Sequence, residues 1–165
     1  MKKAFTLIEL IFVIVIIGLL ASFALPKFQL TETSASKSYF KSTVSSLQSA
    51  IDNLHGEWIV NDNFTWNSEC EFNTTTGYPH NLDDGSGSAN LFKCMFRNPI
   101  KSCSSKFKSS GKYTNCFEET SDNVYKYFFS PSDYLQIEYN ETNGKIECQN
   151  GSGSLTSEEC EKILF

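Results

Sequence analysis

Met1-Lys2-Lys3-Ala4, then Phe5-Thr6-Leu7-Ile8-Glu9-Leu10, opens an apolar run that closes at Pro26. From Phe5 to Leu25 the run holds 21 residues and a single charge, Glu9. At ~1.5 Å per residue, a helix of that length matches roughly 30 Å of bilayer hydrocarbon. A carboxylate within such a segment costs about 2.5–3.5 kcal/mol on insertion scales, so Glu9 calls for a reason.

Two plain readings fail to supply it. An ordinary secretory signal peptide would use Lys2 and Lys3 as its basic region and Ser22-Phe23-Ala24 as its cleavage site. Such a peptide wants no charge at the head of its apolar run, and this run is long for one. A membrane anchor that is never processed leaves Glu9 equally unexplained.

Residues Lys2 to Glu9 resemble the leader junction of type IV prepilins and pseudopilins. The shared features are a short basic leader, a small residue, Phe5, and Glu at the fifth position counted from that Phe, at the head of an apolar helix. The resemblance covers residues 1 to about 28. Ala4 stands where the family most often has Gly. The resemblance implies cleavage between Ala4 and Phe5 on the cytoplasmic side by a prepilin peptidase, then methylation of the new Phe5 amine. It also implies that Glu9 meets the N-terminal amine of a neighbouring subunit. A buried carboxylate is tolerable when paired, and such a pair sets register more than stability. Phe5 and Glu9 are four residues apart and share one helix face.

The domain organisation expected is a leader at 1–4, a transmembrane and filament-core helix at 5–27, and a periplasmic globular domain at 28–165. Lys2 and Lys3 hold the N-terminus in the cytoplasm, which puts the remainder across the inner membrane. Of 14 Lys and Arg, the leader removes two, leaving 12 against 19 Asp and Glu. An acidic surface argues against direct nucleic-acid binding, which rests on cationic contacts to phosphates.

All six cysteines, Cys70, Cys94, Cys103, Cys116, Cys148 and Cys160, follow the apolar run. An even number in a small domain on the oxidising side of a membrane reads as disulfides. Zinc would need close pairs, and none is closer than Cys94 and Cys103. Six cysteines allow fifteen pairings, so connectivity stays open. C-terminal disulfide loops of several pilins suggest one of them, Cys148–Cys160.

Pro26 need not end the helix, since a long helix can continue past a kink. Prolines at this place are common in pilin helices. Beyond the polar stretch Thr31–Ser38 come Phe40, Val44, Leu47, Ile51, Leu54 and Trp58. Their spacings of four and three place all six on one face. The helix is expected to end near His55–Ile59, with Gly56 weakening its last turn. Residues 60–120 read as irregular, and Asp83-Asp84-Gly85-Ser86-Gly87-Ser88 as a turn without calcium-loop spacing. Strands are expected at 124–129, 134–139 and 145–148, with Asn140–Gly144 as a hairpin turn. This three-stranded antiparallel meander would cover the helix stripe, followed by a flexible turn at 151–154 and a short end at Ile163–Phe165.

Nothing catalytic stands out. There is no nucleophile elbow, phosphate loop, His-Glu-x-x-His or redox Cys-x-x-Cys. His55 reads as the polar end of the helix and His80 as a loop residue without a partner. Asn73 in Glu71-Phe72-Asn73-Thr74-Thr75 and Asn140 in Glu138-Tyr139-Asn140-Glu141-Thr142 look like the extended acidic sequon of bacterial N-glycosylation; Asn63 and Asn150 fit only the short form.

The fold expected is α+β and pilin-like: a long N-terminal helix packed on a small antiparallel sheet and stapled by disulfides. The function expected is that of a structural subunit of a type IV pilus-like filament, in type II secretion, DNA uptake or a true pilus. It is not an enzyme and needs no cofactor or metal. Its partners would be other pilin or pseudopilin subunits, the prepilin peptidase and the inner-membrane assembly platform. A low-copy tip or adhesion module is the alternative; Glu9 favours the shaft, because some tip subunits of the family lack it.

Overall fold

The computed structural model describes residues 6–61, 68, 70–83, 90–103, 115–153 and 155–164, and within its long helix the backbone but not the side chains of 23–33. Ala4, Phe5, Asn63 and the loop at 84–88 lie outside the described residues. The chain forms two compact units, Met1–Ser36 and Lys37–Phe165.

Helix α1, Leu7–Val60, is 54 residues long and runs through Pro26. In the first unit its apolar side chains are open to solvent, from Leu7 and Ile8 at 76% to Val13 and Ile16 at 42%. Apolar surface of that extent is covered by lipid or by protein in a working molecule. Among the described residues no helix is long and apolar enough to cross a membrane. The span expected at 5–27 is thus not met within them. Its described side chains are only those from 6 to 22, short of the ~20 residues a crossing takes.

In the second unit the heptad-like stripe of α1 meets a sheet. Phe40, Leu47 and Ile51 are fully buried, and Val44 and Leu54 nearly so. Strands β3 (Cys116–Ser121), β4 (Val124–Phe128), β5 (Tyr134–Asn140) and β6 (Lys145–Cys148) form an antiparallel meander in that order. Alternation puts Phe117, Tyr125, Tyr127, Leu135, Ile137, Tyr139 and Ile146 on the inner face. Register aligns them in rows, with Tyr127 opposite both Phe117 and Leu135, Tyr125 opposite Ile137, and Tyr139 opposite Ile146. The Phe40 ring lies 5.2 Å from Tyr127 and 6.1 Å from both Phe117 and Phe129. Gln48 locks the helix to the sheet: its Nε2 donates to Gly144 O (2.8 Å), and its Oε1 accepts from Ile146 N (3.2 Å). That second bond satisfies a backbone donor of an edge strand.

Short strands β1 (Asn90–Leu91) and β2 (Ile100–Lys101) pair antiparallel, and helix α2 (Ser157–Leu164) closes the chain. Three disulfides join Cys70 to Cys94, Cys103 to Cys116, and Cys148 to Cys160, with Cα–Cα distances of 5.6, 5.3 and 5.9 Å. They tie the irregular middle together, then to β3, and the end of β6 to α2.

Four expectations need correction. The sheet has a fourth strand, β3, inside the stretch read as irregular. Its sequence Cys-Phe-Glu-Glu-Thr-Ser is polar at four of its six positions, and it becomes a strand by pairing with β4 and by the Cys103 staple. The tail at Ile163–Phe165 is entered by a helix, α2, whose single buried residue, Cys160, is held by its disulfide. Trp58 continues the stripe in spacing but is only half-buried, because it has passed the sheet and packs on Gly77, where an added Cβ would come within 2.2 Å of its ring. His55 is more than a polar helix end: its Nδ1 lies 3.0 Å from Gly77 O, and its ring stacks on Tyr78 at 3.9 Å.

Candidate functional site

The chemistry that singles out this chain lies at the start of α1. Thr6 precedes the first helical residue, and Thr6 O accepts from Glu9 N (3.1 Å) and Leu10 N (3.3 Å). Thr6 therefore occupies the N-cap, and Glu9 is the third residue of the helix. Thr-x-x-Glu is capping-box spacing, and the helix dipole favours a carboxylate in its first turn. Glu9 is exposed among exposed apolar neighbours, and its carboxylate makes no hydrogen bond or ion pair among the described residues. An acceptor for a cation thus stands ready one turn inside an apolar helix. Residues 1–25 match the family model for the prokaryotic N-terminal methylation motif. This is the prepilin-type motif of type IV pilins and pseudopilins. It implies a precursor processed by prepilin peptidase and a subunit that polymerises with other pilins. No curated protein and no solved structure matches the chain.

Ala4 and Phe5, expected at the cleavage junction, lie outside the described residues, and Glu9 lies within them. The other candidate site residues singled out in the sequence that the structure describes belong to the second unit. Asn73 and Asn140 each end a short paired segment and begin a turn. His80, expected to be alone, pairs through Nδ1 with the Glu141 carboxylate. Glu141 lies 61 residues away in sequence, so no local pattern revealed the pair. Among the described residues no cluster of three His, Cys, Asp or Glu is arranged to hold a metal. A groove of about 210 Å³ between α1 and β6 is lined, among the described residues, by Val44, Ser45, Gln48, Ser49, Ile146 and Leu164, none of them titratable.

Two features escaped the sequence reading. Asn123, in the β3–β4 turn with φ of 62°, clamps the 80–82 segment. Its Nδ2 donates to His80 O (2.8 Å) and Asn81 Oδ1 (3.0 Å), and its Oδ1 accepts from Leu82 N (3.2 Å). Asn in a tight turn between β-rich runs was the available signal. Phe92 takes a φ of 61°, which costs about 1–3 kcal/mol for a bulky residue. Its fully buried ring, 4.6 Å from Tyr125 and 5.4 Å from Phe117, offsets this.

Among the described residues the Tyr125 hydroxyl is the buried side-chain polar atom without a hydrogen-bond partner. Burial, then the charges of Glu119, Asp83 and Asp122, push its ionisation far above the ordinary tyrosine range. Tyr139 is also raised, by burial first and then by Glu141 and Tyr78; its hydroxyl donates to Pro79 O (2.8 Å). These phenols belong to the core.

Proposed function

We propose that the protein is a structural subunit of a type IV pilus-like filament, the pseudopilus of a type II secretion or DNA-uptake machine or a true pilus. The observation that carries this reading is Glu9, without a partner among the described residues in the first turn of an apolar helix, inside the stretch that matches the methylation motif. Lys2 and Lys3 hold the N-terminus in the cytoplasm. The apolar run from Phe5 to Leu25 spans the inner membrane in the precursor, and residues 28–165 fold on the periplasmic side, where their cysteines oxidise. The peptidase cuts between Ala4 and Phe5, and the Phe5 amine is methylated. The assembly platform then lifts the helix out of lipid into a bundle of like helices. There Glu9 accepts the amine of a neighbouring subunit and sets the axial step, since an unpaired carboxylate in that bundle would be costly. The small pilin-like domain caps the helix and presents the filament surface.

Mass spectrometry of the N-terminal peptide from native cells tests the reading. The expected peptide begins at N-methylated Phe5. A mature chain beginning at Leu25 would mean ordinary signal cleavage and would refute it.

A further inference from the structure

The chain builds one five-residue turn twice, and each copy begins at an asparagine that heads a sequon. Asn73-Thr74-Thr75-Thr76-Gly77 and Asn140-Glu141-Thr142-Asn143-Gly144 share the pattern Asn-x-Thr-x-Gly. In both, the asparagine carbonyl accepts from the glycine N–H four residues on, at 2.7 Å in the first turn and 2.8 Å in the second. In both, the asparagine Oδ1 accepts from the threonine N–H two residues on, at 3.0 and 2.9 Å. Both glycines have positive φ, 74° and 69°, which favours residues without a Cβ.

The turn therefore accounts for the asparagine and the glycine. It does not account for the threonine, of which it uses only the backbone N–H. The Thr75 and Thr142 side chains are exposed and make no hydrogen bond among the described residues. Neither asparagine Nδ2 donates a bond there, and neither is a buried unpartnered atom, so both reach solvent. Two residues before each asparagine stands an exposed carboxylate, Glu71 and Glu138. An N-linked glycan is attached through Nδ2, and Asn-x-Ser/Thr supplies the hydroxyl that the acceptor needs two residues on.

The other described sequon differs. At Asn150-Gly151-Ser152 the Ser152 hydroxyl donates to Ser132 O (2.9 Å) and its N–H to Tyr134 O (2.9 Å). Cys148 stands in place of the carboxylate.

The two turns also touch. Thr76 Oγ1 donates to Glu141 O (3.1 Å), His80 pairs with Glu141, and the Tyr78 ring lies against Gly144, 2.1 Å from where a Cβ would sit. Both acceptors thus share one face of the second unit.

We infer that Asn73 and Asn140 are paired acceptor sites for an N-linked oligosaccharide, transferred whole from a lipid-pyrophosphate donor. The inference rests on the periplasmic placement of residues 28–165 proposed above. In the transfer, Nδ2 bonds to C1 of the first sugar and loses one proton. The C1–oxygen bond to the pyrophosphate breaks, and lipid pyrophosphate leaves, with no change of oxidation state. A face so occupied cannot pack against a neighbouring subunit, so it looks outward in the filament.

The test is peptide mass spectrometry on the full-length protein from its native cells, with Thr75→Val and Thr142→Val variants. Expected are oligosaccharide-bearing peptides at Asn73 and Asn140 and an unmodified Asn150. Each valine variant should lose the glycan at its own site with the melting temperature unchanged, because the backbone N–H of the turn remains. Either asparagine recovered only unmodified, or a glycan that survives its valine substitution, overturns the assignment. The same digest reports the N-terminus. Methylated Phe5 with bare asparagines sinks this inference alone; glycans on a chain cleaved elsewhere sink the filament reading alone.

Discussion

Leu47→Ala probes whether the domain is built around α1. Leu47 is fully buried at the middle of the stripe and belongs to the same apolar cluster as Tyr127, Leu135 and Ile146. The substitution removes three carbons, worth ~0.8 kcal/mol each, so about 2.4 kcal/mol of transfer free energy. A residual cavity of roughly 80 Å³ would add about 2 kcal/mol at ~24 cal/mol per Å³ if nothing relaxed. Relaxation is restricted here, because Gln48 holds the helix to Gly144 and Ile146. The expected loss is thus about 2.5–4.5 kcal/mol, within the range for buried leucines. For a domain of this size that lowers the melting temperature by roughly 10–15 °C. The assay is a thermal melt of an oxidised soluble fragment beginning at Gln29. The control is Ser46→Ala on the exposed face of the same helix, expected to stay within ~0.5 kcal/mol. A Leu47→Ala melt indistinguishable from the control would mean that the stripe is not the domain core, and the packing described here would be wrong.

Glu9→Ala should leave cleavage at Ala4–Phe5 intact and reduce entry into filaments, as read by sheared-filament immunoblotting; wild-type incorporation would remove Glu9 from assembly. Cys148→Ser with Cys160→Ser opens a bridge across 12 residues and should cost about 3 kcal/mol in the chain-entropy description, seen as a lower denaturant midpoint; an unchanged midpoint would contradict it. Tyr125→Phe removes an unpartnered buried hydroxyl and should leave stability equal or raise it by about 1 kcal/mol; a loss above that size would mean the hydroxyl has a partner. Tyr125 and Tyr139 are raised in the folded state, so the unfolded chain loses these protons first. Their stabilisation is complete below about pH 10, the ordinary tyrosine value, and falls as pH rises above it. Tyr125→Phe should flatten that alkaline decline, and identical pH profiles would count against the buried phenol.

Much of this molecule is written locally. The processing junction is a contiguous motif, and its chemistry needs only residue types at fixed short spacings. The stripe from Phe40 to Leu54 declares a helix face because helix geometry repeats every 3.6 residues. The strands expected at 124–129, 134–139 and 145–148 are found at 124–128, 134–140 and 145–148, legible through strand-forming runs and an Asn-Gly turn. What required tertiary structure is everything joined across long separations. Six cysteines admit every pairing until the backbone sets which Cα atoms lie within bridging reach. Strand β3 has little strand character of its own and is made by its neighbour β4. Helix α2, short and mostly polar, is held where Cys160 meets Cys148. His80 found Glu141, and His55 found Tyr78, only because loop 73–80 folds back onto the last hairpin. The same fold-back sets two identical turns side by side. The turn at 140–144 is visible in sequence, the one at 73–77 falls in the stretch read as irregular, and their adjacency is decided by packing, because contacts over 60 or more residues leave no periodic trace in the chain.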